Sequence, residues 1–320
     1  MNFVKDIIGI ELGTFEKKFA EAVRSQTPML DRIMKYIIKR KGKQMRPMFV
    51  FLSAKLNGEI NESTYRAAAL VELLHTATLV HDDVVDESLE RRGFFSINAV
   101  WKNKIAVLVG DYLLSKGLLL STSNEDFMHL HIVSEAVKQM SEGELLQMEK
   151  SRKLNLDEDI YFEIIKNKTA SLLSSACGVG AYSTSKDEKI TEKMKLFGQK
   201  VGIAFQIKDD LFDYGSEDIG KPTGNDIKEK KLTLPLIYTL NKVDKNTKKR
   251  IIYILKNENK NKESVKFVIN SVIQNGGIRY AENKMNAYRD EALEILYQFD
   301  ESPVRKGLEE LVRYTTDRKY

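Results

Sequence analysis

The chain has 320 residues and a formal charge of +5, with 42% hydrophobic and 30% charged side chains. That balance belongs to a globular protein and excludes both a disordered chain and a membrane-embedded one. The charge excess is small and spread along the chain, so no nucleic-acid partner is expected, whereas small anionic ligands remain open.

Taken in chain order, apolar residues recur at helical spacing almost throughout, and five prolines and eighteen glycines are too few to punctuate many short strands. The spacing predicts helices over 15–24, 29–39, 47–56, 62–86, 104–120, 128–151, 157–181, 191–213, 234–241, 245–257, 262–275, 277–299 and 303–314, which makes the fold class all-α. Several of these exceed twenty residues and are apolar most of the way round, as the central helices of a large bundle are. No repeat period or low-complexity linker divides the chain, and one domain over 1–320 is expected. The single cysteine, Cys177, lies in the apolar run ASLLSSACGVGAY and reads as a buried small side chain, not a nucleophile. No run of eighteen apolar residues occurs, and the first residues carry Asp6 and Glu11, so no transmembrane segment is expected and the cytoplasm is the expected location. The stretch 242–262 sets eight basic residues against Asp244, Glu258 and Glu263 and reads as solvated surface.

The stretch LVHDDVVDESLERRG places Asp82, Asp83 and Asp86 where an apolar helix would continue its core stripe. Positions i and i+4 stack one turn apart, so Asp82 and Asp86 share a face, and His75 lies on the same stripe. Taken alone, the cluster is equally well a helix end reaching solvent with its acids paired to Arg91 and Arg92. A second cluster in FQIKDDLFDYG repeats the pattern with Asp209, Asp210 and Asp213, again after an apolar helix. Two such arrays are best explained by two helices that share hard divalent cations. Carboxylates with open positions suit Mg²⁺, which bridges to substrate phosphates instead of being caged by protein. The alternating acidic loop of an EF-hand is absent from both stretches.

If metals hold phosphate, basic groups should converge on it. In GKQMRP, Lys43 and Arg46 precede Pro47, expected as the first helical residue, where free N–H groups and the helix dipole favour an anion. Arg91 and Arg92 follow the first array, Lys168 and Thr169 interrupt another apolar helix, and Lys221 and Lys231 follow the second array.

With these residues assembled, the sequence resembles the trans-isoprenyl diphosphate synthases, the polyprenyl synthetase family. The resemblance rests on G-K-x-x-R-P at 42–47, H-D-D-x-x-D-x-x-x-x-R-R-G at 81–93, K-T at 168, and G-Q-x-x-G-x-x-F-Q-x-x-D-D-x-x-D at 198–213. It implies a large helical bundle around a central cavity, usually as a homodimer, and an Mg²⁺-dependent prenyltransferase condensing an allylic diphosphate with isopentenyl diphosphate. Lys43, Arg46, His75 and Arg92 resemble the isopentenyl diphosphate pocket. Arg91, Lys168, Thr169, Gln206, Lys221 and Lys231 resemble the allylic diphosphate contacts. Asp82, Asp86 and Asp209 would ligate metal, with Asp83, Asp210 and Asp213 helping through ligation or bound water. One departure is Lys230, where many relatives have glycine, which leaves open whether Lys230 or Lys231 is the ligand.

Ala77 and Thr78, five and four residues before Asp82, are small where short-chain relatives place aromatics, which implies a long product, hexaprenyl to nonaprenyl, as used in quinone tails. A farnesyl or geranylgeranyl diphosphate synthase is the alternative. A transient membrane contact for product release is also in keeping with such a product. A terpene cyclase would need no isopentenyl site and normally carries a different second metal motif. A phosphohydrolase built on His81, Asp82 and His75 would recruit His129 and His131, which are expected to be exposed and structural. A non-catalytic partner subunit would have lost an array, and both are complete here.

Overall fold

The computed structural model describes residues 2–39, 42–91, 93–153, 157–215 and 224–318. The elements are α1 (Asn2–Ala22), α2 (Pro28–Lys39), α3 (Met45–Asn57), α4 (Glu62–Val85), a hairpin of β1 (Glu90–Arg91) and β2 (Phe94–Phe95), α5 (Ile97–Thr122), α6 (Phe127–Lys153) and α7 (Glu158–Ile165). A π-helical turn (Lys166–Ala170) leads into α8 (Ser171–Ser185), α9 (Glu188–Phe212), α10 (Asn225–Lys228), α11 (Leu234–Lys242) and α12 (Lys245–Tyr253). A second π-helical turn (Ile254–Glu258), α13 (Lys262–Gln274), α14 (Gly277–Leu296) and α15 (Pro303–Asp317) follow. Among the described residues the fold is all-α apart from the hairpin, which pairs Glu90 with Phe95 and Arg91 with Phe94 antiparallel.

The helices form two compact units, one of residues up to Val137 with Leu172–Lys195 and Phe299–Leu308, the other of Lys138–Ser171, Leu196–Gln298 and the residues from Glu309 on. In the first, Asn61 opens α4 with a reciprocal cap: its side chain accepts from the Thr64 N–H, and the Thr64 hydroxyl accepts from the Asn61 N–H. Ala77 and Val80 of α4 then bury against Ala106, Val109 and Leu113 of α5 and Ile33 and Met34 of α2. Each large apolar side chain fully buried this way contributes about 1.5–3 kcal/mol. The two long helices approach closely where α5 has no side chain: a Cβ on Gly110 would stand 2.1 Å from His81 Nε2. The second unit is built on Tyr161, Ile165, Ile203, Ile207, Leu236 and Val268, among others, packed from α7, α9, α11 and α13.

Several expectations change. The first helix begins at Asn2, well before residue 15. Helix α3 starts at Met45 after Gln44 in a left-handed conformation (φ 52°), so Pro47 is its third residue and not its first. The helix expected over 157–181 is interrupted by the turn that carries Lys168 and Thr169. Helix α5 begins at Ile97, capped by Ser96, with a non-helical Lys102 before the expected start. That helix is, among the described residues, the one long and apolar enough to cross a membrane, with a third of its most apolar stretch buried. Ala106, Val109 and Leu113 pack on α4, while Val107, Leu108, Leu118 and Leu119 are exposed.

His129 is buried, not exposed, while His131 is exposed. Its Nδ1 lies 3.6 Å from Asp126, which also accepts from Arg66 and Ser63, and its ring meets Tyr182 edge-on. Burial pushes the imidazole down to about 4, opposed by Asp126 and assisted by repulsion from Lys186 and Arg66. The folded value lies below the ordinary 6.5, so the stability His129 carries is complete above that pH and is lost as pH falls toward 4. On the order of 3 kcal/mol should disappear over that window. Urea unfolding across it is expected to show a shallower acid loss for His129→Phe than for the parent; parallel curves would refute the linkage.

Candidate active site

Both aspartate arrays sit where a helix stops. Helix α4 ends at Val85, Asp86 is its C-cap, and Glu87 turns away with a positive φ of 51°. Helix α9 ends at Phe212, between Asp210 and Asp213. Neither helix has a basic residue in its last turn. Carboxylates at a helix C-terminus meet the negative end of the dipole, about 0.3–1 kcal/mol unfavourable for each nearby charge. Each array therefore gains from a cation that its own helix does not supply.

Within each array the carboxylates differ. Asp83 is buried and its Oδ1 accepts from Arg91 Nε at 2.7 Å and Nη2 at 2.7 Å. Burial raises its pKa against the pull of Arg91. Asp82 is half-buried and Asp86 exposed. In the second array Asp210 is buried, with Oδ2 accepting from the Tyr161 hydroxyl at 2.7 Å and Oδ1 from Gln206 Nε2 at 2.8 Å. Gln206 in turn accepts from the Thr169 hydroxyl at 2.8 Å. Burial and then repulsion from Asp226 push the Asp210 carboxyl up to about 7, while burial and the Asp210 charge push the Tyr161 phenol up, keeping it a donor. Asp213 accepts from the backbone N–H of Asn225 at 2.7 Å and of Asp226 at 3.1 Å, and burial raises it. Asp209 remains half-exposed. Asp83, Asp210 and Asp213 are thus buried and held by protein donors, whereas Asp82, Asp86 and Asp209 are more open to solvent, Asp209 accepting from Arg318.

The basic residues group by unit. In the first, Arg46 Nη1 lies 2.8 Å from His75 Nε2. A guanidinium only donates, so that nitrogen of His75 accepts and the ring is neutral in this contact. His75, Asp83, Arg91 and Glu72 line a cavity of about 120 Å³, together with Tyr36, Phe94 and Phe95. Lys43 is exposed just before α3, and Arg92 lies outside the described residues. In the second unit, Lys168, Thr169, Gln206, Asp210, Asp226 and Lys231 line a cavity of about 110 Å³. Lys168 pairs with Glu144 and reaches Gln147 at 3.4 Å. Gly202 lets α9 lie against the π-helical turn, since a Cβ there would be 2.6 Å from Ala170 Cα. Lys231 lines the cavity, whereas Lys230 turns away, its amine donating to the Lys256 carbonyl at 3.1 Å. Lys230 has φ 59°, a conformation in which glycine is unstrained. Lys221 lies outside the described residues.

Tyr161, Asp226 and Arg318, which donates to Asp209, join these groups without having stood out in the sequence. A tyrosine seven residues before Lys168, hence on its helical face, was the one available signal for Tyr161. Ala77 is fully buried in the α2–α4–α5 cluster, and Thr78 is half-buried one turn before Asp82 on the same face. Cys177 is buried, and burial pushes its thiol up to about 12. Among the described residues no three His, Cys, Asp or Glu side chains form a ready-made metal cage. The donor set fits a hard cation that takes one or two carboxylates and completes its shell with water and phosphate.

The helical fold is that of the isoprenoid synthases, with which solved structures align along essentially the whole chain. A polyprenyl synthase from Caulobacter crescentus, crystallised with calcium and isoprenyl diphosphate, superposes with a TM-score of 0.91 at 30% identity, covering 100% of this chain and 98% of that one. The polyprenyl synthetase family model matches residues 27–272. Heptaprenyl diphosphate synthase component 2 of Bacillus subtilis is 33% identical over 97% of this chain and 88% of its own length. An all-trans-nonaprenyl-diphosphate synthase of Rhodobacter capsulatus is 34% identical over 99% of each. A geranylgeranyl diphosphate synthase of Saccharolobus solfataricus is 32% identical over 93% of this chain and 92% of its own. The chain belongs to the polyprenyl synthetase family and is a prenyltransferase of the trans-polyprenyl diphosphate synthase class.

Proposed function

We propose that this chain extends an allylic diphosphate by successive head-to-tail additions of isopentenyl diphosphate, using Mg²⁺, to give a long-chain polyprenyl diphosphate. The observation that carries this is the pair of D-D-x-x-D arrays at the ends of helices that carry no basic residue in their last turn, each beside a cavity lined with basic or hydrogen-bonding groups. The family match over 27–272 includes both arrays.

The reaction breaks the C–O bond of the allylic diphosphate, joins the freed allylic carbon to the double bond of isopentenyl diphosphate, and releases a proton and pyrophosphate. A bound divalent cation neutralises charge on the departing pyrophosphate. Lys168, Thr169, Gln206 and Lys231 hold the allylic diphosphate, with Arg91 and Lys221 assigned there by resemblance. Lys43, Arg46, His75 and Arg92 hold the second substrate's diphosphate. Asp82, Asp86 and Asp209 would hold the cation, while Asp83, Asp210 and Asp213, buried on protein donors, keep the arrays in shape. Relatives with heptaprenyl and nonaprenyl products and the small Ala77 and Thr78 support a long product. The geranylgeranyl relative supports a shorter one as the second reading. Incubation with farnesyl diphosphate, isopentenyl diphosphate and Mg²⁺, followed by chromatography of the products, tests both: no product beyond the primer would overturn the function, and a C20 end point the length.

A homodimer is the assembly we propose. Helix α5 exposes Val100, Val107, Leu108, Leu118 and Leu119, a stripe that a second copy would cover. Light scattering that returns the mass of one chain at micromolar concentration would overturn it.

A further inference from the structure

Phe205, Asp209 and Phe212 recur at i, i+4 and i+7 and so form one stripe along α9. Arg318, which follows α15, lies along that stripe. Its Nη2 donates to Asp209 Oδ1, and its guanidinium carbon lies 4.1 Å from the Phe205 ring centre and 5.3 Å from that of Phe212. The arginine side chain is 16% exposed and the aspartate 40%, so the cation is the more enclosed partner and the carboxylate the more open one. Arg318 Nε is buried without a hydrogen-bond partner. Among the described residues the guanidinium is therefore held by packing over two rings and by its charged hydrogen bond to Asp209, a combination that a lysine ammonium does not reproduce.

We infer that Arg318 is a positioning residue for Asp209, fixing the carboxylate rotamer so that the second array is formed before metal and diphosphate arrive. The inference rests on the reading of Asp209 as facing a divalent cation. Partners that orient a ligating carboxylate from behind typically matter by 10–100-fold in metal affinity. An arginine placed to compete with the metal would act in the opposite direction, and the two are told apart by sign.

The test is Mn²⁺ binding to the full chain in the presence of inorganic pyrophosphate, read by electron paramagnetic resonance, beside thermal melting of each variant. Arg318→Leu is expected to weaken Mn²⁺ binding about tenfold with the fold retained, and Arg318→Lys to recover only part of that loss. Should the leucine variant fail to fold, Arg318→Gln carries the comparison, with weaker binding again expected. Unchanged or tighter Mn²⁺ binding in a folded variant overturns the inference. Asp209→Asn serves as the reference: if it too leaves binding unchanged, Asp209 does not face the metal and the underlying reading fails; if it alone weakens binding, only the role of Arg318 falls.

Discussion

Alanine at Asp82 or at Asp209 is expected to lower turnover by about 10³-fold, equivalent to about 4 kcal/mol of transition-state stabilisation, with the helical fold intact. Each side chain is partly open to solvent, although Asp209→Ala also leaves the enclosed Arg318 guanidinium without its acceptor. Asp82 lies in the last turn of α4, half-buried at the negative end of the helix dipole. The melting midpoint of the metal-free Asp82→Ala protein should therefore move little. Asp210→Ala should behave differently, because it leaves the Tyr161 hydroxyl and the Gln206 amide without their acceptor in a buried site. That costs about 1–3 kcal/mol of stability in addition to any loss of activity. Steady-state rates and melting curves on the three variants separate the two roles. Near-normal turnover in Asp82→Ala or Asp209→Ala, with an unchanged metal requirement, would remove those residues from the reaction.

Phenylalanine at position 78 or 77 is expected to shorten the product toward geranylgeranyl or farnesyl diphosphate, at different structural cost. Thr78 is half-buried on the face of Asp82, and its hydroxyl donates to the His75 carbonyl within the helix at 2.9 Å, so a ring there displaces little packing. Ala77 is 0% exposed among Leu73, Val80, Val109 and Leu113. A ring at Ala77 must push these aside, an overpacking penalty of about 1–3 kcal/mol. Chromatography of reaction products alongside thermal melting reads both effects. If Ala77→Phe melts early yet makes the parental product, Ala77 is a packing residue for α5 and the growing tail passes elsewhere. If Thr78→Phe also leaves the product unchanged, chain length is not set on this turn of α4.

Much of this architecture was legible from local pattern. Helical periodicity over short windows marked α2, α4, α6, α9, α13 and α14, because amphipathic spacing is a property of neighbouring residues. The twin aspartate spacing was equally plain, and so was the burial of Cys177 in its apolar run. Backbone detail was less so. The π-helical turn at Lys166–Ala170 falls in a sequence that reads as uninterrupted helix, and only its packing on α9 beside Gly202 distinguishes it. His129 looked like a loop histidine because its partners, Asp126, Tyr182 and Arg66, come from three different helix ends.

The local sequence was sufficient for the elements and for which residue types could carry the chemistry, since both depend on spacing within a few turns. Which aspartates are spoken for was settled by folding. Tyr161 reaches Asp210 across 49 residues of chain, and Arg318 reaches Asp209 across 109. No periodicity records such pairings. They exist because helix packing brings distant side chains within hydrogen-bond range, and burial then makes each unsatisfied charge costly enough to select its partner.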